Sequence, residues 1–419
     1  MKNLNEKALS VLLCIAAGSS ACTGKPKYSG PYGKQVAEAI PKIEVAVGLK
    51  FKTPPKVETR SRAQVRAFVA QEFMDPAAQQ DLAGTEASYK RFGMIPDSLH
   101  LQKFMVDLLE EQIVGYYDPK TKVLYVVDGS PREAVEITVT HELVHALQDQ
   151  YISLDSIQSA HGQNDRSTAA QAIFEGQAVY EQIAASLGGT NVAINLPGGW
   201  DRIRDMIREN QSAMPIFAAA PLVIQETLIF PYLSGAEFVR NFKDRRGGQS
   251  IYEDIPVSTE QVLHPVAYFA RRDAPTSIDL GKLVGATPVY ENTLGEFETR
   301  LFIFQHLGDQ NESVRAATGW DGDRYVLFNT GSGQGLVWVT VWDSAVEAGE
   351  FYDIADQALE KRFNTKAVAG KLSRSYSAAG RSVQLSTVEI AGRPGVIFVD
   401  VPAGASTNVL DPSQIKLKQ

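Results

Sequence analysis

Two histidines one helical turn apart, with a glutamate beside the first, are the residues of this sequence best equipped for chemistry: His141-Glu142-Leu143-Val144-His145. At about 100° per residue, the imidazoles of His141 and His145 fall about 40° apart on one helix face, so both can reach one ion while Glu142 lies beside it. A catalytic zinc takes three protein ligands and leaves a fourth position for water. Thirty residues after His145, an apolar run Ala169-Ala170-Gln171-Ala172-Ile173-Phe174 leads into Glu175-Gly176-Gln177-Ala178. A carboxylate buried there is costly unless a cation pairs with it, which makes Glu175 the expected third ligand. Gly176 and Ala178 are small enough to bring this helix close to the first. The plainer readings are a solvated glutamate and a pair of hydrogen-bonded core histidines.

The elements that must position these groups can be read from periodicity. Residues 63–73 and 99–112 carry apolar stripes at helical spacing and read as packing helices. Residues 113–117 and 123–127 are β-branched and aromatic runs around Asp118-Pro119-Lys120-Thr121-Lys122, the pattern of a hairpin just before the motif helix at 135–151. Ala134, Val135, Ile137 and Val139 before the first histidine, and Leu143, Val144, Ala146 and Leu147 after it, make that helix a core element.

Beyond residue 287 the pattern changes. Strands at 324–328 and 336–342 are joined by Asn329-Thr330-Gly331-Ser332-Gly333-Gln334-Gly335, a helix follows at 345–363, and two more strands at 383–390 and 395–401 complete a small α+β module. The glycines join two strands and open no helix, so they read as a hairpin turn and not as a phosphate cradle. Trp320, Trp338 and Trp342 read as core, with a binding surface as the alternative. Asp321 and Asp323 are too few for a calcium loop.

Composition bounds the rest. A chain of 419 residues with 44% hydrophobic and 21% charged residues is globular and long enough for two or three domains. A net charge of −8 leaves no broad basic face, so nucleic acid is excluded as a partner. Cys14 and Cys22 are the only cysteines, so any metal in the folded body is held by His, Asp or Glu. Lys2 and Lys7 before the short apolar run 8–17 have the layout of an export signal, expected over residues 1–21. Gly18-Ser19-Ser20-Ala21-Cys22 resembles a bacterial lipobox, although Ser19 stands where leucine is usual. Cys22 is therefore expected to carry a lipid that anchors the protein in the cell envelope, with plain secretion as the alternative. Residues 22–34, rich in Gly and Pro, read as the tether. A main domain is expected over 35–286 and an accessory one over 287–419.

His-Glu-x-x-His followed at a distance by Glu175-Gly176-Gln177-Ala178 resembles the gluzincin group of zinc metallopeptidases, in its peptidase MA-like branch. Gly115-Tyr116-Tyr117-Asp118-Pro119, the stretch 141–150, Pro231-Tyr232-x-x-Gly235 and Ser258-Thr259-Glu260-Gln261-Val262-Leu263-His264-Pro265 are similar to a set of uncharacterised microbial proteins. The resemblance covers roughly residues 40–270 and implies an α+β fold. Its zincin-like domain is mostly helical with a small sheet and an edge hairpin, followed by the accessory module. It further implies an endopeptidase that acts on peptide or protein substrates with one zinc per chain. His141, His145 and Glu175 would hold a zinc that activates water and polarises the scissile carbonyl, and Glu142 would be the general base. Tyr232, then His264, are the candidates for the oxyanion donor, each with a packing role as its alternative. Asp149 is a candidate to orient a ligand imidazole, with a helix-surface role as the alternative. The hairpin would supply the edge strand along which an extended substrate lies. Two other readings of the same residues are an envelope assembly factor or chaperone that binds metal, and a catalytically silent binding protein on the same scaffold.

Overall fold

The structure is a computed structural model that describes residues 28, 30–154, 162–186, 205, 208–209 and 213–418. The expected export signal and Cys22 lie outside the described residues. Among the described residues, no helix is long and apolar enough to cross a membrane.

The architecture is α+β, with a helical part that carries a small sheet and a part built on a larger sheet. α1 (Gly33–Val47), α2 (Arg62–Glu72) and α4 (Leu101–Gln112) flank the first sheet, while α3 (Pro76–Phe92) packs against the second. Local sequence sets their ends. Ser61 and Gln64 form a reciprocal capping box on α2. Asp75 caps α3, Pro76 occupies its first turn, and Gly93 ends it at φ 72°. The tether expected up to residue 34 is shorter, because Tyr28 and Tyr32 pack against the core and α1 has begun by Gly33.

β1 (Lys56–Arg60), β2 (Gly115–Asp118) and β3 (Val123–Val127) form a three-stranded sheet in the order β1-β3-β2. β1 runs parallel to β3, and β2 pairs with it antiparallel as the hairpin. β3, the central strand, is buried throughout, while β2 is an edge. α5 (Arg132–Gln148) packs beneath this sheet. Val135, Val139, Leu143, Val144 and Leu147 share a cluster with Ile40 and Ile43 of α1, Leu124 and Val126 of β3, and Ala178. Ile137 belongs to the opposite face and is 56% exposed, so only part of the apolar approach to the motif is core.

α6 (Asn164–Ser186) and α7 (Leu222–Arg246) cross one another over α5. A Cβ on Gly176 would lie 2.1 Å from the Gly235 backbone, and one on Gly235 would lie 1.9 Å from the carbonyl oxygen of Ala172. Gly176 therefore admits α7 and not α5, whereas Ala178 faces α5. Pro231 lies inside α7, one residue before Tyr232, and the helix continues through it. α8 (Thr259–Leu263), capped by Ser258, leads to a π turn at Ala267–Arg271.

All seven strands of the second sheet come from residues 287–402. They are β5 (Thr287–Asn292), β6 (Trp320–Thr330), β7 (Gly333–Trp342), β8 (Val368–Ala369), β9 (Ser373–Ala378), β10 (Arg381–Ile390) and β11 (Arg393–Pro402). Their order is β5-β6-β7-β11-β10-β9-β8, antiparallel throughout. Side chains alternate along β7: Leu336, Trp338 and Trp342 face α11 (Ala345–Phe363), and Val337, Val339 and Val341 face a second cluster with Ile278, Leu280 and Ile415. A short sheet pairs β4 (Ser277–Asp279) with β12 (Lys416–Lys418). The three tryptophans are fully buried, and the glycine-rich stretch turns between β6 and β7. The sequence pattern did not reveal α9 (Gly295–Leu307), which is buried nearly all round and so shows no apolar stripe, or α10 (Gln310–Ala317), which is amphipathic but only eight residues long. One apolar cluster runs from Ile173 and Tyr180 of α6 through Phe92 and Phe302 to Trp338 and Phe398, across the boundary expected at 286/287.

Candidate metal centre

His141 and His145 project from α5 toward Glu175 of α6. His141 Nε2 lies 3.2 Å from Glu175 Oε2 and 3.2 Å from His145 Nε2, and His145 Nε2 lies 3.4 Å from Glu175 Oε2. The opposite ring nitrogens are held: His141 Nδ1 donates to Gln182 Oε1 at 3.2 Å, and His145 Nδ1 donates to Gln148 Oε1 at 2.8 Å. With Nδ1 donating on both rings, the two Nε2 atoms and a carboxylate oxygen face one point. Three acceptors repel one another there unless a proton or a metal cation sits between them. A tetrahedral zinc at about 2.0–2.1 Å from each ligand sets neighbouring ligands about 3.3 Å apart, and the three separations fit that requirement. The donor set of two imidazoles and a carboxylate suits zinc chemically.

The electrostatics point the same way. Burial alone would raise the Glu175 carboxyl, yet the charge of His145 and hydrogen bonds from both imidazoles hold it well below the usual range. Burial would lower His145, but Glu175 outweighs it and pushes the imidazole up to about 9. The centre thus demands positive charge. Burial raises the Glu142 carboxyl, opposed by His145 and His141, and Glu142 Oε2 accepts a hydrogen bond from the Tyr117 backbone N–H at 2.7 Å. That bond ties Glu142 to edge strand β2.

Tyr232 also reaches the centre. The Gly176–Gly235 crossing brings α7 close enough for its ring to stack on His141, with centroids 6.0 Å apart, and for its phenol to hydrogen-bond to Glu175. The Glu175 charge, aided by burial, raises the phenol well above its ordinary value, so it stays a donor. His264 is engaged elsewhere: its Nε2 meets Glu296 Oε1 at 2.9 Å and the Arg300 guanidinium at 3.1 Å. Asp149 does not orient an imidazole. Its Oδ2 accepts from the Tyr117 hydroxyl at 2.7 Å and the Lys122 ammonium at 2.6 Å, which pins the hairpin to the end of α5.

The imidazole-orienting groups are glutamines, which the motif alone does not reveal. Gln148 is fully buried and donates to the Phe174 carbonyl and to Gln177 Oε1, both at 3.0 Å, and Gln177 in turn accepts from Tyr252. Spacing was the available signal: Gln148 stands three residues after His145, and Gln182 two helical turns after Glu175.

A family model described as a domain of unknown function, DUF8575, matches residues 283–401. The match covers the seven-stranded sheet through most of β11 and contains none of the residues at the metal centre. No curated protein and no solved structure matches the chain.

Proposed function

We propose that the protein is a zinc-dependent peptidase of the gluzincin kind, with a zincin-like domain ahead of the sheet module. The convergence of His141 Nε2, His145 Nε2 and Glu175 Oε2 within 3.4 Å of one another, with Glu142 alongside, carries this reading. Zinc held by those three atoms supplies Lewis acidity, which lowers the pKa of a water and polarises the scissile carbonyl. Glu142 is the general base: buried and fixed through one oxygen by Tyr117, it presents the other to take the proton from the attacking water and return it to the leaving amine. The Tyr232 hydroxyl, kept protonated beside Glu175, donates to the developing oxyanion. Edge strand β2, bonded to the base, aligns an extended peptide through main-chain hydrogen bonds irrespective of side-chain sequence. On this reading the protein works in the cell envelope, anchored through Cys22.

The test is a comparison of wild type with Glu142→Gln and Glu175→Ala. Wild type is expected to hold one zinc and digest a peptide library. Glu142→Gln should keep the zinc and lose about 10²–10⁴-fold in rate, the ordinary worth of a positioned base. Glu175→Ala should lose stoichiometric zinc. Equal digestion by wild type and Glu142→Gln, or a zinc-loaded wild type that cleaves no peptide or unfolded protein, would remove the peptidase reading.

A further inference from the structure

The ring of His145 is held by a chain of hydrogen bonds whose direction is dictated from its far end. His145 Nδ1 donates to Gln148 Oε1 at 2.8 Å, and Gln148 Nε2 donates to the Phe174 carbonyl and to Gln177 Oε1, both at 3.0 Å. Gln177 Oε1 also accepts from the Tyr252 hydroxyl. A backbone carbonyl can only accept, so the Phe174 carbonyl fixes which end of the Gln148 amide faces α6. Both N–H groups of that amide are then used, and its oxygen is left for the imidazole. Gln148 thus bridges the two helices that carry the ligands: it starts from α5, and its amide is bonded to the residue preceding Glu175.

Gln177 needs a second hold, because a side-chain amide can present either end. Turned the other way, its NH₂ would meet the N–H of Gln148, donor against donor. The Tyr252 hydroxyl takes the remaining lone pair of Gln177 Oε1, so rotation of the buried amide would leave two donors unpaired. Tyr252 is itself firmly placed. Its N–H donates to Ser250 Oγ at 3.3 Å at the start of the 3₁₀ turn Ile251–Glu253, and its ring stacks on Phe174 with centroids 6.3 Å apart. Every member of the chain is an amide, a carbonyl or a phenol, so His145 is oriented without a carboxylate behind it.

We propose that Tyr252 and Gln177 are positioning residues for the zinc ligand His145, acting through Gln148 to hold its Nδ1–H and so to aim its Nε2 lone pair at the metal. A reversed Gln148 amide would present N–H to Nδ1, move the ring proton to Nε2 and block coordination. The chain ends 107 positions from His145 in the sequence, at a hydroxyl that holds no metal. The inference rests on the zinc-centre reading and adds to it the two residues that set the direction of one ligand.

Zinc affinity of the full chain, measured by competition with a chelator, tests the chain of bonds link by link. Tyr252→Phe keeps the ring on Phe174 and removes the hydroxyl, while Gln177→Met keeps the length of the side chain and removes the acceptor. Each should weaken zinc by about 10–100-fold, the usual worth of a group behind a ligand imidazole. Because Tyr252 acts through Gln177, the double variant should bind zinc no more weakly than Gln177→Met alone. In the zinc-loaded protein, NMR should show the His145 Nδ1 proton exchanging with solvent faster in Tyr252→Phe than in wild type. If Gln177→Met does not fold, Gln177→Glu takes its place: both ends of a carboxylate accept, so adding Tyr252→Phe to Gln177→Glu should leave zinc affinity unchanged. The proposal is overturned if Tyr252→Phe binds zinc as tightly as wild type and leaves the Nδ1 proton unaltered, or if the effects of the two changes add in full. A wild type that holds no zinc removes the zinc-centre reading itself, and this inference with it.

Discussion

Glu175 and Glu260 are both helical glutamates turned into the molecule, and their surroundings drive them in opposite directions. Burial pushes both carboxyls up. At the crossing of α5, α6 and α7, the charge of His145 and the hydrogen bonds of two imidazoles outweigh burial and take Glu175 far down. Where α8 meets the sheet, Glu296, Asp273 and Asp343 add to burial, and Glu260 rises to about 9. The supporting shells differ as well. Gln182, Gln148 and Tyr232 each hold a ligand at the first site, so the atoms that converge are pre-aimed. At the second, the backbone hydrogen bonds anchor the chain, and the carboxylates of Glu260, Asp273 and Asp343 face one another. A fixed, mixed nitrogen–oxygen set suits an ion with strict geometry, whereas mutual repulsion alone keeps a proton on a carboxyl.

Removal of one hydroxyl sharpens the comparison most. Tyr232→Phe should lower kcat by about 10²–10³ with KM little changed, if the phenol donates to the oxyanion. Its hydrogen bond to Glu175 offers a competing role, the orientation of a ligand. In that case zinc affinity falls and kcat at saturating zinc stays near wild type. Steady-state kinetics combined with a zinc competition assay separate the two.

A smaller effect tests whether pre-aiming matters. Gln182→Ala frees His141 Nδ1 without touching an atom that converges on the centre, and should weaken zinc by about 10–100-fold. Unchanged zinc affinity would mean that packing of α5 against α6 holds the His141 ring by itself, and the contrast between the two shells would lose its energetic content.

The two regions were unequally legible in the sequence. Spacing alone puts His141 and His145 on one face, and the charge of Glu175 within an apolar run marks it, because the physics of a helix face and of a buried carboxylate acts locally. Gln148 and Gln182 were missed because a glutamine beside a motif has many other uses; only the fold reveals which carbonyl faces which ring. Asp149 fell to a competitor, since Tyr117 and Lys122 arrive from a hairpin whose placement over α5 no local pattern encodes. Glycines misled in partner and not in kind. Gly176 does admit a close backbone, but the approaching backbone is that of Gly235, which lies far off in sequence. Glu260, Asp273 and Asp343 were illegible as a set, because they come from three segments joined only by tertiary contact. In the second sheet β6, β7, β10 and β11 were readable from alternation, whereas β5, β8 and β9 were not, and α9, buried on nearly every side, shows no stripe.

Glu298 bears on the comparison from a third direction, since it belongs to the acidic side of the molecule yet has donors of its own. Its Oε1 accepts from the Tyr89 hydroxyl and from Asn164 Nδ2, both at 2.8 Å, while Oε2 is buried without a partner. Burial still pushes it up to about 8, with Asp323 and Asp165 adding to the rise. An unfolded glutamate titrates near 4.3, so between about pH 4.3 and 8 the folded chain holds a proton that the unfolded chain has released. Stability must then fall as pH rises through that window, by up to about 1.4 kcal/mol per pH unit, and level off above it. Glu298→Gln keeps the acceptor used by Tyr89 and Asn164 and removes the titration. The variant should therefore gain on wild type steadily from pH 5 to pH 8, read as the difference between their unfolding free energies at each pH. Contributions from groups that Glu298 does not touch cancel in that difference, whereas Asp165, which burial pushes up to about 7 and whose charge acts on Glu298, makes the curves differ around its own titration as well. Parallel curves would show that two good donors suffice to keep Glu298 ionised at an ordinary pH. The high value at Glu260 would then reflect missing donors and neighbouring acids as much as burial.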